Sequence, residues 1–188
     1  MARVNTRQLI TDAAVRVAAR HGISGASMDE IAVEAGVAKG SLYYNFASKD
    51  AIFERVMRDG FERLGTVLSE ARQGEAPGAV RAVAWATLRA LRTNPDLARI
   101  MAAEVFRTDR PWHEALELAR GSVVVQYRDV LREARVARGA TAADAEQITE
   151  TAGAALFGAL AGAFLDWLLF RQDQPLELVL DQVLALGE

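Results

Sequence analysis

Apolar residues recur at intervals of three and four along almost the whole chain, and that period admits one kind of element. Leu9, Ile10, Ala13, Ala14, Val17, Ala18 and His21 share one face of a helix. Gly22 is expected to end it, because glycine accepts the left-handed turn at a helix C-terminus. The run Ser27-Met28-Asp29-Glu30 has the form of a capping box, with Ile31 and Ala32 turned inward and Gly36 as the stop. The pattern predicts further helices over 39–46, from a Ser48 cap through Ile52, Phe53, Val56, Met57 and Phe61 to Ala71, and over 79–93, 95–107, 112–138, 142–171 and 175–186. Pro95, Pro111 and Pro175 stand near three of these starts, where a missing N–H does no harm. Residues 73–78 form the clearest break in the pattern. No strand-like alternation bounded by hairpin turns interrupts the helices, so the expected fold class is all-α.

Composition narrows the chemistry. The 188 residues include no cysteine, which excludes thiol nucleophiles and thiolate metal sites. His21 and His113 are far apart in sequence, so a zinc centre on histidine ligands is not expected. No charged-then-apolar leader opens the sequence. The longest uncharged stretch, Thr151 to Leu165, falls short of the roughly 20 residues of a membrane span. The expectation is a cytoplasmic protein without a membrane partner. Net charge is -3, but unevenly spread: residues 1–60 carry eight Lys+Arg against seven Asp+Glu, and the rest carry 14 against 18. Both lysines, Lys39 and Lys49, lie in an acid-free stretch from Ala35 to Lys49. A local basic strip on an acidic body points to a directed anion contact.

That strip sits in a recognisable layout. A helix of about eight residues from Ser27 is followed by Gly36-Val37-Ala38 and then by a second short helix. Gly36 allows the tight turn and Val37 is expected as a buried plug. This is the plan of a helix-turn-helix, whose second helix enters the DNA major groove. The second helix carries Lys39, Gly40, Ser41, Tyr43, Tyr44 and Asn45: a cation and hydroxyls for phosphate, a glycine for close approach, an amide and aromatic faces for bases. Leu42 and Phe46, four apart, are its expected inward anchors. Tyrosines and lysines also serve as core aromatics and solvated surface, so the reading rests on the set rather than on any one residue.

The set is Ile10, Ala13, Ala14, Gly22, Ser27, Met28, Ile31, Ala32, Ala35-Gly36-Val37, Lys39-Gly40, Leu42-Tyr43, Phe46, Ser48-Lys49 and Ile52. In this order and spacing it resembles the DNA-binding region of the tetracycline-repressor family of bacterial transcription regulators. The resemblance implies that Lys39 contacts phosphate or a base edge and that Ser41, Tyr44 and Asn45 face the groove. It implies phosphate contacts for Tyr43, for Ser27 at its helix start, and for Lys49 at the start of the long connecting helix, where the dipole favours the anion. Arg3 is a further candidate phosphate contact. Asn45 departs from the histidine often found there, a difference that bears on specificity more than on fold.

The resemblance further implies two domains: residues 1–47 as a three-helix DNA-binding head, and 48–188 as a ligand-binding and dimerisation domain entered through helix 48–71. A double-stranded palindromic operator and a C2 homodimer follow, since a short recognition helix reads few base pairs and symmetry doubles them. The last two helices are the expected dimer surface, through Phe157, Gly158, Leu160, Gly162, Phe164, Leu168, Val179 and Val183. Glycines within a helix cost about 1 kcal/mol each against alanine, and close approach by another helix, of a partner or of the same subunit, would offset that. A small, mostly apolar effector is expected against Trp85, Leu88, Met101, Glu104, Phe106 and Tyr127, side chains that also suit a plain core. Glu104 and Tyr127 supply its polar contacts, and a buried Glu104 needs an arginine or a ligand. His21 is expected as a packing residue. No catalytic constellation, cofactor or metal site is expected. The reading is a DNA-binding transcriptional regulator, a repressor released by its effector. The alternatives are a constitutive DNA-binding protein and an all-helical enzyme carrying such a head.

Overall fold

The computed structural model describes residues 5–73, 76–105 and 113–186. Among them the chain forms α1 (Thr6–Gly25), α2 (Met28–Ala35), α3 (Lys39–Asn45), α4 (Lys49–Ala71), α5 (Ala76–Thr93), α6 (Pro95–Val105), α7 (His113–Ala119), a π-helical turn (Arg120–Val124), α8 (Val125–Ala137), α9 (Ala142–Glu146), α10 (Glu150–Phe170) and α11 (Leu176–Ala185). The described residues contain no strand, as the unbroken helical period requires. They fall into two compact units: the chain up to Gly60 with Asp96–Ala115, and Phe61–Pro95 with the chain from Leu116 onward. The three boundaries between units, after Gly60, Pro95 and Ala115, fall within α4, at the start of α6 and within α7.

In the first unit α1 buries Ile10, Ala13, Ala14, Val17 and Ala18. Regular helix stops at Gly22, whose φ is 69°. His21, expected inside, is exposed: it is the last helical residue before that turn, and the buried position passes to Ile23 beyond it. The core continues through Ile31, Leu42, Ile52, Phe53 and Met57, each at most 1% exposed. Burying such a side chain contributes about 1.5–3 kcal/mol.

In the second unit α8 packs against α5 and α10, and α11 packs against α5 and α10. Val83, Leu88, Val123, Tyr127, Val130, Leu160 and Phe164 are fully buried there. Two of the expected helices are divided. The expected 112–138 helix carries the π-turn, a one-residue excess over the α repeat. Its backbone is closely approached twice. A Cβ on Gly65 of α4 would lie 2.9 Å from Ser122 Cβ, and one on Gly153 of α10 would lie 2.5 Å from the Val124 carbonyl oxygen. The expected 142–171 helix is α9 and α10, separated at Gln147–Thr149. Arg132 explains the break: its Nε donates to the Ile148 carbonyl at 2.8 Å and its Nη2 to the Glu146 carbonyl at 3.0 Å. A guanidinium thus takes carbonyls that a continuous helix would have bonded.

The expected dimer stripe is largely core. Leu160, Phe164, Leu168, Val179 and Val183 are at most 7% exposed in the single chain. A three-and-four spacing identifies an apolar stripe without saying which neighbour covers it, and here α5, α8 and α11 do so. Phe157 is half-buried and lies 6.0 Å from the Tyr127 ring. Gly158 and Gly162 are exposed, and a Cβ on either would meet nothing within 4 Å. They sit on the other face of α10, with Ala154 and Ala155 also exposed. By length and composition this 21-residue helix could cross a bilayer, a test that the uncharged run alone had fallen short of.

Candidate nucleic-acid interface

Side-chain caps fix the starts of α1 and α2, and the turn between α2 and α3 fixes that of α3. The Asn5 side chain accepts from Arg7 N at 3.1 Å to open α1. At α2 the capping box forms: Glu30 N donates to Ser27 Oγ at 3.2 Å, and Ser27 N donates to Glu30 Oε2 at 3.0 Å. The Ser27 hydroxyl also donates to Glu30 Oε2, and these bonds hold the Glu30 carboxyl below its usual range. Gly36 closes α2 with φ 66° and ψ 30°, a left-handed conformation that costs a residue with a Cβ about 1–2 kcal/mol. The next amide, Val37 N, returns to the Ala32 carbonyl at 3.0 Å. Val37 itself is half-buried rather than a sealed plug, because the turn is only three residues long and leaves it at the edge.

The turn delivers α3. Leu42 is fully buried and Phe46 is 7% exposed, so both expected anchors are in place. They leave the opposite side open: Tyr43 is 48% exposed and Tyr44 is 90% exposed. Gly40 is exposed, and a Cβ there would meet nothing. Ser41 and Asn45 are half-buried, with Asn45 Nδ2 donating to the Ser41 carbonyl at 2.8 Å. Ser48 accepts from Ala51 N at 3.1 Å, and Lys49 Nζ donates to the Ser24 carbonyl at 3.1 Å. Lys39 Nζ lies 2.7 Å from Asp29 Oδ1, which holds the ammonium above its usual pKa. The site therefore gathers Ser27, Lys39, Gly40, Ser41, Tyr43, Tyr44, Asn45 and Lys49 within one compact unit. Arg3 lies outside the described residues.

Sequence reasoning missed two supports. The Arg7 guanidinium carbon sits 5.7 Å from the centre of the Phe46 ring, and its Nη2 donates to the Asn45 carbonyl at 3.4 Å. A cation over an aromatic face and at a helix C-terminus is favourable on both counts. Arg16 and Arg20 each lie 2.7 Å from the Glu34 carboxylate, which is thereby held below its usual range. This clamp ties α1 to the end of α2. The only advance signal was arginine on the polar face of α1.

The expected effector residues divide between the units. Met101 and Glu104 belong to the first, where Met101 is half-buried and Glu104 is 7% exposed. Trp85, Leu88 and Tyr127 belong to the second. Phe106 lies outside the described residues. Leu88 is core, and Trp85 is half-buried beside the Arg89 guanidinium. Tyr127 is not an open polar handle. Thr87 Oγ1 donates to the Val83 carbonyl at 3.1 Å, so the Tyr127 hydroxyl donates to Thr87 Oγ1 at 2.5 Å. Burial pushes its phenol well above the usual range. The second unit also opens a groove of about 570 Å³ lined by Glu62, Gly65, Thr66, Ser69, Glu70, Ser122 and Gln126, none of them expected as effector contacts.

Residues 10–56 match the family described as bacterial regulatory proteins, tetR family. The HTH-type transcriptional regulator AcrR of Shigella flexneri is 36% identical over 73 residues, which cover 39% of this chain and 34% of that protein. The HTH-type negative transcriptional regulator IcaR of the Staphylococcus aureus biofilm operon icaADBC is 34% identical over 59 residues, 31% of this chain and 32% of that protein. The match thus spans about a third of these relatives' own length. Solved structures align more completely. A transcriptional regulator from a Rhodococcus species superposes with a TM-score of 0.71 at 26% identity, over 95% of this chain and 92% of that one. The regulator FadR from Bacillus subtilis, solved with stearoyl-CoA, superposes at 0.74 with 20% identity, over 95% and 96%.

Proposed function

We propose, for a chain that belongs to the tetR family of bacterial regulatory proteins, that it is a sequence-specific transcriptional repressor. The observation that carries this reading is α3: a seven-residue helix pinned by buried Leu42 and Phe46, following the Gly36 turn, with Tyr44 at 90% exposure on the open side. A tyrosine so exposed has no packing role, and its position in a helix-turn-helix is that of a groove contact. The relatives it matches are transcriptional regulators, and a non-enzymatic role is part of the reading.

The rest of the proposal follows from symmetry. One α3 reads few base pairs, so the protein acts as a C2 dimer on a palindromic operator. The open face of α10, with Ala154, Ala155, Gly158 and Gly162, supports a second copy as its cover, since small residues let two helices approach closely. Leu169, Phe170, Leu178 and Leu186 extend the exposed apolar surface at the ends of α10 and α11. The test of DNA binding is selection of bound duplexes from random sequence. A recurring palindrome is the expected result; no enrichment over the starting pool overturns it.

Release by a small, mostly apolar effector completes the reading. Such a ligand weakens operator binding by as much as its own affinity differs between the two states of the protein. The hydrogen-bond chain from Tyr127 through Thr87 to Val83 favours a second reading, constitutive binding without effector, because it satisfies a polar group that a ligand would have used. A thermal-shift screen of apolar compounds, and of acyl-CoA as an amphipathic one, followed by operator titration separates the two. A stabilising compound that lowers operator affinity supports release. Stabilisers that all leave affinity unchanged support constitutive binding.

A further inference from the structure

The three carboxylates of α2 are used differently. Glu30 closes the capping box with Ser27, and Glu34 is clamped by Arg16 and Arg20. Both belong to the scaffold of the head. Asp29 instead reaches across to α3: its Oδ1 and Oδ2 lie 2.7 and 2.8 Å from Lys39 Nζ. Both carboxylate oxygens thus close on the first residue of α3. The pair is in water, with the side chains 64% and 60% exposed, and exposed pairs of this kind add little to stability. Scaffolding does not account for it.

We infer that Asp29 is a selectivity residue, holding Lys39 back from DNA that is not the operator. The inference rests on the DNA-binding reading above. Residues at the start of a recognition helix are those that meet base edges and the flanking phosphates. An ammonium shared between two carboxylate oxygens is neutralised before it arrives, so on an arbitrary duplex it displaces no counterion. On the operator, α3 seats deeply enough for a phosphate or a guanine edge to take Lys39 from Asp29. The exchange is therefore favourable only where the sequence repays it.

The test measures Kd against salt for the full-length dimer on two duplexes, the selected operator and a scrambled sequence of equal length and composition. Each phosphate contact adds about -0.9 to the slope of log affinity against log salt. Wild type is expected to show a slope steeper by about 2 on the operator, one Lys39 per subunit. Asp29→Asn should abolish that difference by steepening the scrambled-duplex slope. It should also tighten scrambled-duplex binding about tenfold at moderate salt and shrink the ratio between the duplexes. Lys39→Gln should remove the effect, so that the double variant behaves as Lys39→Gln alone. Unchanged slopes in Asp29→Asn overturn the inference. An equal gain on both duplexes, or a gain that survives Lys39→Gln, also overturns it, by making Asp29 a general repulsive charge. Should Asp29→Asn fold poorly, equal slopes for wild type on the two duplexes overturn it without any variant. Failure of wild type to bind any duplex strikes instead at the DNA-binding reading.

Discussion

Gly36 and Tyr127 show what single residues hold. At Gly36 the φ of 66° makes any Cβ strained whatever space surrounds it, so Gly36→Ala should lower stability by about 1–2 kcal/mol. Urea unfolding measures it. Because this turn aims α3, operator affinity should fall with it even at temperatures where the variant is fully folded. Tyr127→Phe removes a donor and leaves Thr87 bonded to Val83, so the loss should be smaller, about 1 kcal/mol. The same site predicts a pH dependence. Burial raises the folded-state pKa of the phenol, so folding favours the protonated form. That contribution is complete below the unfolded value of about 10 and is lost as pH rises beyond it. Tyr127→Phe should accordingly flatten the alkaline limb of the stability profile, measured by unfolding at a series of pH values. The Tyr127 bond was not legible in advance: Tyr127 reads as a core aromatic with a polar tip, and its partner Thr87 is 40 residues away on another helix. The Lys39–Asp29 pair was hidden in the same way, since Asp29 has every mark of an ordinary acid at a helix start.

Among the helices, legibility followed the local chemistry. The Ser27 and Ser48 caps, the Gly22 and Gly36 stops and the Lys49–Ala71 extent of α4 were all readable, because each depends on residues within four positions. The π-turn and the break before α10 were not. The break turns on Arg132, which reaches it from another helix, and the π-turn lies against Gly65 and Gly153 of two others. The glycines of α10 therefore divide by consequence. Gly153→Ala places a Cβ 2.5 Å from the Val124 oxygen and 2.8 Å from Arg128 N. Backbone cannot yield cheaply, and a loss of about 1–3 kcal/mol is expected in thermal or urea unfolding. Gly158→Ala and Gly162→Ala meet open space within the chain and should gain up to about 1 kcal/mol of helix propensity in the monomer. A bulky Gly162→Leu should keep the fold and dissociate the proposed dimer, as sedimentation velocity at micromolar concentration would show. A Gly162→Leu variant that sediments with wild type places the dimer contact elsewhere.

For the molecule as a whole, the charge asymmetry sets the expectation for DNA. With Arg3, Lys39 and Lys49 each meeting one phosphate per subunit, a dimer uses about six and the operator slope is about -5. Lys49→Ala should shallow it by about 2 and weaken all sequences alike, whereas replacing Asn45 should change which sequence is preferred. Binding titrations across a salt series check both. The sequence carried the DNA-binding half of this picture further than the other half. The head's function is written in one contiguous run, Lys39 to Asn45, in which Lys39, Gly40, Tyr43 and Tyr44 stay exposed. A ligand site or a dimer face is made of apolar residues that differ from core only in what covers them, which is why Leu160, Phe164 and Val183 read as interface and proved to be interior. The π-turn has a separate consequence, for how the length of this chain can change. Elsewhere in α5 or α10, losing one residue would turn every following position by about 100° and carry apolar side chains out of the core. At Arg120–Val124 the chain already holds one residue more than an α-helix needs, and Gly121 is exposed with nothing packed on it. Deleting Gly121 would let α7 run straight into α8 as regular helix, with the contacts of Val125–Ala137 left as they are. In a library of single-residue deletions through the helices of this unit, the survivors should cluster at these five positions.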